Sequence, residues 1–309
     1  MGSNGSGHRS AGGVSFSRLL RGRRRVAIVL SGGGSLGATQ VGMLQALFDA
    51  GVRPDMVVGT SVGAINAASV AAWPEPEGIK KLADIWRGLR REDVFPLGWT
   101  AAMGLLGRGN HLISNGGVRS ILERNLPYKR IEDAVVPLHI VASELQSGKA
   151  VVLSSGDVVP ALLASCAIPG VFPPVTIDRQ ELVDGGVANH TPIAAAIERG
   201  ATQIYVLPIG YPWLHEKPTN ALGMALQALA RLFEQRLQHE IAMFDHDAEI
   251  LTVPALEPLA VSPADFSHTS ELMERGYSSA RKLLDTMSRS KPALHVRARR
   301  GTSVSATAA

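Results

Sequence analysis

The chain holds one cysteine, Cys166, in 309 residues. That excludes an internal disulfide and a cysteine-rich zinc site, and it suits a reducing compartment. Aromatic side chains are only 5% of the chain, so Ala, Val, Leu and Ile must supply the apolar volume. Such composition fits helices packed closely on a sheet. Charged residues are also few, at 19% against 45% hydrophobic, which excludes wholesale disorder. No secretory leader is expected: the first apolar run, Val26–Leu30, is too short for one. The uncharged stretch Met56–Pro74 is long enough to span a bilayer. Gly59, Thr60, Ser61, Gly63, Asn66 and Ser69 within it point instead to a turn inside a globular domain. The expectation is a cytoplasmic protein, with an organelle transit peptide as the minor alternative at the Arg- and Ser-bearing start.

Acidic residues are absent from both ends. Residues 1–25 carry six arginines, and residues 289–309 carry Arg289, Lys291, Arg297, Arg299 and Arg300. With these eleven cations set aside, the net charge of +4 becomes −7 over residues 26–288. A nucleic-acid enzyme would carry its positive charge on the folded surface, so that class is excluded. The ends are expected to be basic, disordered tails; a peripheral tether to an anionic membrane surface is their sharper reading.

Between the tails, short apolar runs alternate with helical patterns. Val26–Leu30, Met56–Val58, Leu138–Leu145, Ala150–Leu153, Glu181–Val183, Gln203–Leu207 and Ile250–Val253 read as strands. Residues 38–50, 62–73, 79–89, 158–167, 192–199 and 269–287 read as helices. Leu222, Leu226, Leu229, Phe233, Leu237, Ile241 and Phe244 recur at spacings of three and four, predicting a long amphipathic helix laid on the sheet. Strand–helix alternation predicts a single α/β domain over residues 26–288, with a mostly parallel central sheet and helices on both faces. Val94–Gly107 is apolar, aromatic and interrupted by Gly98, Gly104 and Gly107. It reads either as a flap over an apolar site or as ordinary packing.

Three motifs carry chemistry. Gly59-Thr60-Ser61-Val62-Gly63 is a G-x-S-x-G between a predicted strand and an Ala-rich helix, the context that exposes a nucleophilic serine on a sharp elbow. Gly32-Gly33-Gly34-Ser35-Leu36-Gly37 contains G-x-G-x-x-G. A dinucleotide site would need an acid after the following strand, and Asp55 precedes that strand; a phosphate loop would need a lysine, and none is there. The remaining reading is an oxyanion hole of backbone amides at Gly32, Gly33, Gly34, Ser35 and Gly37. Asp184-Gly185-Gly186 follows an apolar run, and Asp184 is a candidate base for Ser61, though a turn aspartate has the same pattern. Histidine is the rival base, with His139, His190, His246 and His268 as candidates.

Taken together, these elements resemble the patatin-like phospholipase family. The resemblance rests on Gly32–Gly37, on Val57–Ala68 around Ser61, on Ser165-Cys166-Ala167-Ile168-Pro169-Gly170-Val171-Phe172-Pro173-Pro174, and on Asp184-Gly185-Gly186. It implies a serine lipid acyl hydrolase with Ser61 as nucleophile, Asp184 as base, the Gly-rich loop as oxyanion hole and no metal or other cofactor. Leu36 stands where many members have a basic residue, so neutral lipid esters are as open as phospholipids. A non-catalytic membrane or partner adaptor that keeps the fold is the alternative; it would have no need of both Ser61 and Asp184.

Overall fold

A computed structural model describes residues 24–96, 111–210, 221–256 and 261–290. Eight strands form one sheet: β1 (Val26–Leu30), β2 (Met56–Thr60), β3 (Leu138–Glu144), β4 (Ala150–Leu153), β5 (Val175–Ile177), β6 (Gln180–Asp184), β7 (Gln203–Leu207) and β8 (Glu249–Thr252). The order is β5-β6-β3-β2-β1-β7-β8, with β4 also paired to β3. The described helices are α1 (Ala38–Asp49), α2 (Val62–Ala72), α3 (Pro76–Gly88), α4 (Arg91–Val94), α5 (Gly116–Asn125), α6 (Val158–Ser165), α7 (Ile193–Ile197), α8 (Ala221–Phe244) and α9 (Thr269–Ser290).

The centre of the sheet, β3-β2-β1-β7-β8, is parallel, as strand–helix alternation requires. Its β5-β6-β3-β4 corner is antiparallel, within the mostly parallel sheet that was expected. The cause is local: β5 and β6 are joined by Asp178 and Arg179, both with positive φ (49° and 64°), a tight reversal that leaves no length for a crossover helix.

Side chains alternate along the central strands and serve two cores. Ile28 and Leu30 of β1 face one core with Val41, Leu44 and Leu47 of α1 and Ala64 and Ala68 of α2. Ala27 and Val29 face the other, with Ile193 and Ala196 of α7 and the half-buried Leu237, Ile241 and Phe244 of α8. Helix α9 closes on α1 at glycine: a Cβ at Gly42 would run into the Met273 carbonyl, and one at Gly276 into the Thr39 carbonyl.

The element boundaries differ modestly from expectation. Helix α3 begins at Pro76 instead of Ile79, and α7 is confined to Ile193–Ile197 with Pro192 just before it. Helix α8 forms where the apolar spacing placed it, yet Leu229 is 44% exposed, so only its C-terminal half packs as expected. The side chains of Leu222 and Leu226 lie outside the description, as do residues 97–110 of the candidate flap and nearly all of both tails. Among the described residues no helix is long and apolar enough to cross a membrane.

Candidate active site

The C-terminal ends of β1, β2 and β6 converge on one point. Strand β2 runs directly into Ser61, which has φ 56° and ψ −130°, a backbone conformation that L residues rarely adopt. The surroundings enforce it. A Cβ at Gly59 would meet the Gly63 carbonyl, and one at Gly63 would meet the carbonyls of Leu30 and Ser31. Strand, elbow and helix α2 can approach this closely only because both positions lack a side chain.

Asp184 ends β6. Its Oδ2 accepts a 2.6 Å hydrogen bond from Ser61 Oγ, and its Oδ1 accepts one from the Gly186 amide at 2.8 Å. Burial raises the Asp184 pKa from 3.8 to about 6, although the bonds from Ser61 and Gly186 oppose the shift. Asp184 is thus still largely ionised at neutral pH and a stronger base than an exposed carboxylate.

One short segment holds both members of the pair. The Ser61 amide donates to Ser165 Oγ (2.8 Å), which donates to the Val141 carbonyl of β3 (2.6 Å). Two residues on, the Ala167 carbonyl accepts the Asp184 amide (2.9 Å). Ser143, which no sequence signal marked, donates to the Asp184 carbonyl and accepts the Ala188 amide.

The Gly-rich loop lies beside the elbow. Gly33 and Gly34 have φ of 150° and 62°. The Gly32 amide donates to the His190 carbonyl (3.3 Å) and the Ser35 amide to the Pro263 carbonyl (2.8 Å). Those two of the five expected oxyanion donors are thus already engaged. Gly37 is also closely packed: a Cβ there would strike Val62 and crowd Trp86. Behind the loop lies a buried polar lattice that the sequence reading missed. Gln40 Nε2 donates to the carbonyls of Ser31 and Leu207, Asn66 Nδ2 donates to Gln40 Oε1 and the Gly37 carbonyl, and Trp86 Nε1 donates to Asn66 Oδ1. Leu36 is fully buried.

The histidines sort themselves by position. His139 pairs with Ser154, and burial lowers its pKa to about 4; His246 and His268 lie beside exposed carboxylates. His190 alone approaches the pair. A Cβ placed on Gly32 would sit 3.1 Å from His190 Nε2 and 3.2 Å from Ser61 Cβ. Burial lowers its pKa to about 3, its ring stacks on Phe233 of α8 at 4.2 Å, and Ser61 Oγ is bonded to Asp184. A neutral imidazole of that acidity is a poor general base.

From Ser61 a narrow apolar slot runs between α2, α3 and α5, with a cavity volume of about 100 Å³. An aromatic chain, Trp86–Phe266–Phe95–Phe172, forms one wall, with centroids 6.1, 6.4 and 5.7 Å apart. Phe95 comes from the start of the candidate flap and belongs to this wall. Cys166 is half-buried and lines the slot; burial pushes its thiol pKa up. A second hollow, lined by Arg24, Arg53, Gln203 and Tyr205, lies at the opposite end of the strands, away from the Ser61–Asp184 pair. Among the described residues no three His, Cys, Asp or Glu side chains cluster to hold a metal ion.

A serine on an elbow, hydrogen-bonded to a buried carboxylate at the head of an apolar slot, is the arrangement of a serine hydrolase. A sequence model described as patatin-like phospholipase matches residues 28–197, and the chain belongs to that family. It is 30% identical over 199 residues to patatin-like phospholipase domain-containing protein 7 of Rattus norvegicus, covering 63% of this chain and 14% of the relative. An uncharacterized NTE family protein of Mycobacterium bovis is 32% identical over 189 residues, covering 60% and 30% respectively. The chain therefore spans less than a third of the length of these relatives. Among solved structures, VipD from Legionella pneumophila superposes with a TM-score of 0.45 at 15% identity, over 86% of this chain and 67% of that one.

Proposed function

We propose that the chain is a serine hydrolase of fatty-acyl esters, acting on phospholipid, lysophospholipid or acylglycerol with Ser61 and Asp184 as a dyad. The carrying observation is the 2.6 Å Ser61 Oγ–Asp184 Oδ2 bond at the head of the apolar slot. The acyl chain lies in the slot, bringing the ester carbonyl to Ser61. Ser61 Oγ attacks the carbonyl carbon as Asp184 takes its proton. The carbonyl oxygen becomes an oxyanion, held by the amides of Gly33 and Gly34 at the turn of the loop. Collapse breaks the ester bond, and Asp184 returns the proton to the departing alcohol. Water, deprotonated by Asp184, then cleaves the acyl-serine and releases the fatty acid. Backbone amides and one carboxylate do this work, so the reading needs no metal and no other cofactor.

The basic ends, nearly all outside the described residues, supply an electrostatic attraction to anionic lipid, and the place of action is the cytoplasmic side of a membrane. Labelling with a fluorophosphonate tests the nucleophile: the wild type is expected to be modified at Ser61 and Ser61→Ala to be unlabelled. A Ser61→Ala protein that labels like the wild type overturns the proposal. A panel of lipid classes then sets the headgroup.

A further inference from the structure

Strand β2 loses its β3 neighbour at Ser61. The register of the two strands runs from Val57 opposite Leu138 to Thr60 opposite Val141, and the next residue of β3, Ala142, is paired with Asp184 of β6. In a parallel pair, alternate residues of one strand donate to the other. Val57 N donates directly to the Pro137 carbonyl at 2.9 Å, so continuing two residues at a time puts Ser61 N opposite the Val141 carbonyl. That rung is not direct. The Ser165 hydroxyl stands in it, accepting from Ser61 N at 2.8 Å and donating to the Val141 carbonyl at 2.6 Å. Ser165 ends α6 and is fully buried. The turn after Asp184 packs on the same carbonyl, since a Cβ at Gly185 would strike Val141 O.

We propose that Ser165 is a positioning residue for the nucleophile: its hydroxyl replaces one rung of the β2–β3 ladder and so holds Ser61 out of the strand, in the conformation that aims Oγ at Asp184. The inference rests on the Ser61–Asp184 reading above. A direct rung would extend β2 through Ser61 and require a negative φ, whereas Ser61 has φ 56°. A hydroxyl suits the place because it accepts from an N–H and donates to a carbonyl at once; a methyl does neither. Without it, either the rung closes and draws Ser61 towards the strand, or the Ser61 amide loses its partner in a buried site. Both disturb the aim of Oγ, and a displacement of about 1 Å at a reacting group is enough to cost ~10²-fold in rate. The bonds of Ser165 run to the backbone of Ser61 and Val141, and Ser165 does not line the slot. Its loss therefore falls on kcat and leaves binding of the acyl chain alone.

The test is hydrolysis of a soluble short-chain ester by the full chain, with competent sites counted by fluorophosphonate titration and folding followed by thermal melts. Ser165→Ala is expected to lose ~10²-fold in kcat per titrated site, with KM within about threefold of wild type. A role in folding alone would lower the number of sites and leave kcat per site unchanged. Ser165→Thr against Ser165→Val, which share a shape and differ in the hydroxyl, covers the case in which Ser165→Ala does not fold. The Thr variant should then turn over at least about tenfold faster per site than the Val variant. Wild-type kcat per site in Ser165→Ala, or equal rates in the Thr and Val variants, overturns the inference. So does failure of all three to fold, which would make the hydroxyl a support of the fold and not of the nucleophile. A Ser61→Ala protein that still hydrolyses the ester would sink the dyad reading itself; with Ser61→Ala inactive, only the role of Ser165 is at stake.

Discussion

The two flanks of the Ser61–Asp184 pair are built on opposite plans. On the loop side, glycines let backbones touch, and buried amides and indole interlock through Gln40, Asn66 and Trp86. On the α8 side, the contacts are mainly aliphatic: Leu237, Ile241 and Phe244 pack on the sheet, the Asn189–Glu240 bond and the His190–Phe233 stack join the helix to the loop after Asp184, and Leu229, Leu232 and Met243 are exposed. The difference follows from what each flank meets. An oxyanion is small and its donors must stand still, so preorganisation repays rigid construction. On the α8 side no reacting group is held, and aliphatic packing on the sheet is enough to seat the helix.

Breaking the pair itself should have the largest effect. Ser61→Ala is expected to abolish ester hydrolysis. Asp184→Asn is expected to lower kcat by ~10⁴-fold, the scale found when a serine loses its acid–base partner. Both are read by initial rates on a chromogenic ester, with circular dichroism to confirm folding; an Asp184→Asn variant retaining a tenth of the rate would refute the dyad.

Next comes the elbow. Gly63→Ala puts a methyl against two carbonyls that cannot move without shifting β1, and overpacking of this kind costs about 1–3 kcal/mol, added to backbone strain already present at Ser61. Denaturant melts should show the loss, and labelling of Ser61 should fall with it.

On the same flank, Trp86→Phe leaves Asn66 Oδ1 without its indole donor in a buried site, and should cost about 1–3 kcal/mol in the same assay.

Acidification offers a graded test. With the Asp184 pKa raised to about 6, kcat/KM should be flat above neutrality and fall towards tenfold per unit below pH 6, as the base becomes protonated. His190, neutral across this range, should leave that profile unchanged, and His190→Ala should stay within about tenfold of wild type. Loss comparable to Asp184→Asn in a folded His190→Ala protein would make the site a triad.

The smallest effect belongs to the α8 anchor. Burial raises the Glu240 pKa, so its folded-state carboxyl favours the proton, and the stability tied to that proton is lost as pH rises through the raised pKa. Glu240→Gln keeps a partner for Asn189 and removes that loss. Thermal melts should show a slight gain near neutrality that fades below the ordinary carboxylate range.

How legible all this was depends on the scale of the signal. The strands of the parallel centre and the helices covering it were readable because apolar period and glycine punctuation are local properties. Ser61 and Asp184 were legible for a related reason: each sits where a strand stops at glycine, and the family resemblance joined them. The β5–β6 hairpin was not, because β5 is three residues long and its reversal at Asp178 and Arg179 carries no glycine. The polar lattice was invisible for another reason. Gln40 and Asn66 look like ordinary helix residues until the fold brings them 3.0 Å apart. Amides promised by a Gly-rich motif are likewise anonymous in sequence; only the Pro263 and His190 carbonyls show which are already engaged. For α8, Leu237, Ile241 and Phe244 pack on the sheet as the periodicity predicted, but a periodicity cannot say that Leu229 is exposed.

The segment from Ser165 to Ala167 grips Ser61 through one hydroxyl and Asp184 through one carbonyl. A common mount ties the backbone of the nucleophile and the backbone of the base to the same three residues. The side chain of Cys166, between the two grips, faces the slot. That side chain also meets the pair directly, since Ser61 and Asp184 both act on the Cys166 thiol, so a change at this position alters the wall of the slot and the surroundings of the dyad together.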